Sequence, residues 1–143
     1  MQKIMALNPG GANLHLYNAR EYTPALLTRD NVILLGNPTS NPWFDLFQDR
    51  LNFREEPESQ IESVVTNNGP TAHEGATYVP TNDIAYGVVA LMPKAGHTGT
   101  ILLIEGTSSK ATEACGSFLS KEQLPVLAKL LGTGDSPFFE LLL

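Results

Sequence analysis

Two uninterrupted apolar runs, Val32-Ile33-Leu34-Leu35 and Ile101-Leu102-Leu103-Ile104, constrain this chain more than any other feature. Gly36 ends the first, Glu105 and Gly106 end the second, and small polar residues follow both. Runs of this length, fenced in this way, read as strands buried on both faces, the pattern of a parallel strand in a covered sheet. Asn37-Pro38-Thr39-Ser40-Asn41-Pro42 and Thr107-Ser108-Ser109 then offer helix-capping residues, with Pro42 suited to a first helical position. A third run, Val88-Val89-Ala90-Leu91-Met92, stands close enough before the second to pair with it as an antiparallel hairpin.

The remaining elements follow from periodicity and punctuation. Leu14 and Leu16 alternate with His15 and Tyr17, which predicts a strand with one buried face. Thr23 and Pro24 open a short helix, and Trp43, Phe44, Leu46 and Phe47 supply the apolar face of another behind Asn41. Residues 51–54 and 61–65 alternate around Glu55, Glu56 and Glu58, which predicts a hairpin insertion at about 51–66 with an acidic, solvent-facing tip. Thr77-Tyr78-Val79 reads as a short extended piece. Helices are expected over 110–119 and, opened by the capping box Ser120 to Gln123, over 120–131, with Gly132 and Gly134 as the stop. The apolar stretch 138–143 predicts a last strand, either inside the sheet or at the cut edge of a larger protein. The fold expectation is a single α/β domain over 1–143. It is three-layer-like and Rossmann-like, with a mixed, largely parallel sheet flanked by helices and the hairpin as an insertion.

Composition removes several functional classes. With 9 Lys and Arg against 15 Asp and Glu, the net charge of −6 argues against a nucleic-acid grip, which needs clustered cations. One cysteine excludes an intrachain disulfide framework and a cysteine-rich zinc site. No apolar stretch approaches the ~20 residues of a membrane span, and the patch at 1–7 is too short for a secretory leader. His15, His73 and His97 are scattered without metal-ligand spacing, so no metal and no cofactor are expected.

Chemistry is best sought in the two strand-to-helix turns. Ligands of open α/β sheets lie beyond the carboxyl ends of strands, and helix N-termini offer free N–H groups to anions. If the strands at 32–35 and 101–104 are parallel neighbours, both turns open on one edge. Gly36, Thr39, Ser40, Asn41, Gly106, Thr107 and Ser108 would then line a site for a small, anion-bearing ligand, with Trp43 as a wall. Against this stands the simpler reading that the same hydroxyls only cap helices. Neither turn is a P-loop, because Gly36 lacks a following Gly-Lys-Ser/Thr and Gly106 lacks a second glycine. Thr107 and Lys110 hold the spacing of a Ser/Lys pair in isolation, no nucleophile elbow exists, and Cys115 reads as a small core residue. Glu105 ends a buried strand just before Gly106, where carboxylates with a chemical role often stand.

As a set, the blocks 31–43, 51–53, 86–93, 99–107 and 112–119 resemble the C-terminal α/β domain of multidomain soil-bacterial proteins of uncharacterised function. Those proteins carry a winged-helix-like N-terminal region and a membrane segment before this domain. The resemblance covers most of residues 12–143. It implies a further α/β half before this chain and a continuation after it. In the family pattern the first turn begins Ser-Pro; Asn37-Pro38 stands there in this chain, which removes one hydroxyl.

The leading functional expectation is a non-catalytic sensor or effector domain that binds a small anionic ligand, with no catalytic residue. Two alternatives stand beside it. One is a hydrolase or transferase using Glu105, His97 or a turn hydroxyl. The other is an interaction module that meets a second copy or a neighbouring domain through the strand at 138–143.

Overall fold

The computed structural model of the chain describes residues 15–57, 63–69, 73–94, 96, 98–119, 126, 129 and 138–143. Buried β-branched and leucine-rich runs become strands, and glycine or proline ends them. The strands are β1 (Val32–Gly36), β2 (Phe53–Pro57), β3 (Ser63–Asn67), β4 (Thr77–Tyr78), β5 (Gly87–Pro93), β6 (Thr100–Gly106) and β7 (Phe139–Leu142). The helices are α1 (Pro24–Arg29) and α2 (Ser109–Phe118), and short 3-10 turns lie at Pro42–Leu46 and Gln48–Arg50.

A four-stranded sheet in the order β1-β6-β5-β7 forms the centre, and β2-β3-β4 form a second, three-stranded antiparallel sheet. β1 runs parallel to β6, with Val32 opposite Ile101 and Gly36 opposite Glu105. β5 is antiparallel to both β6 and β7. The period-2 alternation of β6 divides the core. Ile101 and Leu103 face Val32, Leu34, Phe44, Phe47 and Leu51 on one side. Ile104 packs with Val89, Cys115 and Leu119 on the other, under α2. Gly106 permits this close approach, because a Cβ there would lie 2.5 Å from the Thr112 nitrogen and 2.8 Å from Ala111 Cβ.

This architecture corrects the expected fold class. The described chain is predominantly β, and α2 is the one helix longer than two turns among the described residues. It is neither a helix-flanked three-layer α/β domain nor a Rossmann-like one. Only the β1–β6 pair of the central sheet is parallel, so the sheet is mixed but not largely parallel. After β1 the chain does not build a long crossover helix. The predicted helix behind Asn41 is a 3-10 turn, because Phe44 and Phe47, three residues apart, are buried while Leu46 is 57% exposed. An apolar stripe that stops after one turn cannot anchor a full amphipathic helix.

Other expectations divide. Residues 15–17 are exposed and form no strand, while residues 12–14 lie outside the described residues. The helix at Pro24 forms, and the predicted hairpin appears as β2 and β3. Its acid face is not wholly solvated: Glu55 is buried. Glu58, Glu62 and His97 lie outside the described residues, as does the helix expected over 120–131, apart from the helical positions Val126 and Lys129. β7 takes an edge of the central sheet. No helix among the described residues is long and apolar enough to cross a membrane.

Candidate functional site

The two turns singled out in the sequence do lie side by side, since β1 and β6 are parallel neighbours and end in register. Each is held by its own residues. Gly36 has φ +119°, a left-handed conformation that favours glycine, and a Cβ there would lie 2.6 Å from Ser40 Oγ. The Ser40 hydroxyl accepts from the Asn37 nitrogen at 3.0 Å and donates to the Asn37 carbonyl at 3.2 Å. Asn41 is buried; its side chain accepts from the Trp43 nitrogen and donates to the Leu35 carbonyl. Trp43 is turned away toward the N-terminal segment, with its indole nitrogen donating to the Ala19 carbonyl and its ring edge-on to Tyr22. Thr39 is exposed.

The second turn is similar. Thr107 Oγ1 accepts from the Tyr86 nitrogen and donates to the Tyr86 carbonyl. Ser108 caps α2 by accepting from the Ala111 nitrogen at 3.2 Å. Thus Ser40, Thr107 and Ser108 spend their hydroxyls on the fold, as capping residues do.

Between the turns and the second sheet the structure assembles an acidic cluster that sequence reasoning did not join together. Glu105 is fully buried at the end of β6. Its Oε2 accepts from Gln48 Nε2 at 3.0 Å. Glu55, on β2, is buried and its Oε1 accepts from Ser63 Oγ at 2.6 Å. The Asn37 side chain lies close enough to Glu55 to favour its charged form, which brings the first turn beside the cluster. Three side-chain oxygens here, Gln48 Oε1, Glu55 Oε2 and Glu105 Oε1, are buried without a hydrogen-bond partner.

Electrostatics follow from this enclosure. Burial, with the Glu55 charge added, pushes the Glu105 carboxyl up to about 8; the Gln48 hydrogen bond opposes the rise. Burial also raises Glu55, against the hydrogen bond from Ser63 and the nearby Asn37 side chain. Among the described residues no salt bridge reaches either carboxyl, so one of the pair keeps its proton at neutral pH. Glu105 has no exposed surface from which to meet a substrate. Among the described residues no three His, Cys, Asp or Glu side chains are placed to hold a metal ion.

The other chemical candidates fall elsewhere. His15 and His73 are exposed, and Cys115 is buried under α2. An open, apolar pocket of about 250 Å³ lies beside it, lined in part by Gly87, Ala111, Phe118 and Leu143.

No family model, no curated protein and no solved structure matches this chain.

Proposed function

We propose that this chain is a non-catalytic, small-ligand-binding domain of sensor or effector type. The ligand would sit where the turns at 36–41 and 106–108 leave β1 and β6. The observation that carries this reading is the parallel β1–β6 register, which sets both turns at one edge directly beside the buried pair Glu55 and Glu105.

The surroundings favour a ligand that brings N–H or O–H donors or positive charge. Glu55 Oε2 is a buried acceptor without a hydrogen-bond partner, and the Ser40, Thr107 and Ser108 hydroxyls, expected to receive an anion, are engaged locally. An anion would also be repelled by buried carboxylate charge. Catalysis by Glu105 draws no support from a carboxyl with no exposed surface. The interaction-module reading draws on β7, which pairs with β5 and with no other strand among the described residues.

Thermal melting with amines, polyamines and nucleosides, set against phosphate, sulfate and simple carboxylates, tests the proposal. A ligand of the folded state raises stability as ln(1 + [L]/Kd), so a real hit grows with concentration. Donor-bearing compounds are expected to give a saturable rise that weakens in Glu55→Gln. A rise with anions alone overturns the ligand chemistry, and a flat response to every compound overturns the binding reading.

A further inference from the structure

We infer that Glu105 and Gln48 form a proton-dependent latch, a carboxylic acid–carboxamide pair that holds the 3-10 segment against the central sheet and loosens when the proton leaves. This inference rests on the geometry of the buried cluster and is independent of the ligand reading.

The hydrogen-bond pattern of the pair carries the argument. One side of it is made, with Gln48 Nε2 donating to Glu105 Oε2 at 3.0 Å. On the other side, Gln48 Oε1 and Glu105 Oε1 are both buried and both unpartnered. An ionised carboxylate and an amide carbonyl are acceptors only, and two buried acceptors left unmatched are costly. A single proton on Glu105 Oε1 turns that oxygen into a donor, and the acceptor it calls for is Gln48 Oε1, the unpartnered oxygen of the amide already bonded to Glu105. That second bond would close both vacancies and complete a ring of paired hydrogen bonds.

Every neighbouring charge favours retaining that proton. Glu55 faces Glu105 from β2 and Glu140 from β7, both as repulsive carboxylates. From α2 comes Cys115, whose thiol burial pushes up to about 11, so it is neutral. β1 and β5 contribute Gly36 and Val88 opposite Glu105 in the ladder. No cation among the described residues pairs with it. A metal ion is the other way to neutralise such a site, but no suitable set of three ligating side chains stands among the described residues.

The layers that meet at this cluster are distinct. Glu105 belongs to the central sheet, Gln48 to the 3-10 segment, and Glu55 to the second sheet. Loss of the proton leaves Glu105 Oε1, Glu55 Oε2 and Gln48 Oε1 all as buried acceptors without a hydrogen-bond partner. The strain falls on the 3-10 segment and β2, which are held by fewer apolar groups than β5 and β6. The chain's single tryptophan, Trp43, lies in the adjoining 3-10 turn and reports on the same segment.

The test is a pH titration of the full chain from acid to alkaline solution, followed by Trp43 fluorescence and by far-ultraviolet circular dichroism. The latch predicts a step in fluorescence with a midpoint near pH 8, at nearly constant secondary structure. Glu105→Gln presents an N–H donor at every pH and is expected to abolish the step. Glu55→Gln removes the repelling charge and is expected to move the midpoint to lower pH. An absent step in the parent chain, or one that persists unchanged in Glu105→Gln, overturns the inference. Infrared spectra of the parent chain decide the matter even if the variant does not fold. The C=O stretch of a protonated carboxyl must be present at pH 6 and fade through the midpoint, and its absence at pH 6 overturns the latch.

Discussion

Gln48 Nε2 donates to Glu105 Oε2 at 3.0 Å, joining residues 57 positions apart. Glu105 continues the core-facing alternation of Ile101 and Leu103, so β6 delivers a carboxyl into the same face that holds Phe44 and Phe47. A polar group in that place needs a partner, and the Gln48 turn supplies it.

Stability should fall as pH rises toward 8. The folded chain holds the Glu105 proton up to about pH 8, while the unfolded carboxyl releases it near the ordinary 4.5. Below 4.5 both states are protonated and the stabilisation is fully present. Between these values only the folded state keeps the proton, so each rise in pH favours unfolding, by at most about 1.4 kcal/mol per pH unit. Above about 8 the contribution is gone. Glu55 acts in the same direction, and Asp30, lowered by its hydrogen bond to Arg29, acts in the opposite one in acid. Urea unfolding from pH 5 to 9 measures the slope, and Glu105→Gln should flatten it.

Lys94→Met should destabilise the chain by about 2–3 kcal/mol, since hydrogen bonds from a buried charge are the stronger kind. Lys94 is 4% exposed, and its Nζ donates to the carbonyls of Leu27, Thr28 and Asp30 at 2.8, 3.2 and 2.6 Å. It thereby caps the end of α1, a helix that buries none of its residues fully. Methionine keeps the apolar stem and removes the donor. Denaturant unfolding gives the loss, and a change within a few tenths of a kcal/mol would show that solvent caps α1 equally well.

What the sequence makes legible is local or repetitive. β1, β5 and β6 are readable because each is an apolar run fenced by Gly, Pro or capping residues, and the short turn between β5 and β6 forces them antiparallel. The caps at Asn41 and Ser108 are readable for the same reason. Long-range polar pairing is not. Glu55 sits in a run of acids that alternates like a solvated hairpin, and nothing near it in sequence announces Glu105 or Asn37. Lys94 follows Pro93 in a turn-like stretch, and only the packing of α1 reveals it as buried. The scarcity of helix is hidden too, because Trp43, Phe44, Leu46 and Phe47 suit a helical face until the structure leaves Leu46 outside.

Glu140→Ala should cost about 3 kcal/mol, in line with the loss of charge-assisted hydrogen bonds. The Glu140 carboxylate accepts from the backbone nitrogen and side-chain amide of Asn52, each at 2.9 Å, and from the Phe53 nitrogen. These bonds fasten the start of β2 to β7. Hydrogen exchange should therefore quicken at the Asn52 and Phe53 amides more than within β5 and β6. Uniform quickening across both sheets would show instead that β7 supports the whole fold.

Cys115 should resist thiol reagents in the native chain. It is 2% exposed, and burial pushes its thiol up to about 11 from an ordinary 9.0, so at pH 8 the reactive thiolate is scarcer by about 100-fold. Gly87 packs so closely that a Cβ there would overlap Cys115 Sγ. The pocket beside the thiol is open, however, and a reagent that entered it would need only a small movement of α2 to reach sulfur. Labelling at pH 8, with and without denaturant, separates these cases. The close packing predicts labelling at least about 100-fold slower in the native state than in the unfolded chain. A smaller difference would mean that α2 lifts from β5 and β6 on its own, and the thiol would then be a reporter of that opening.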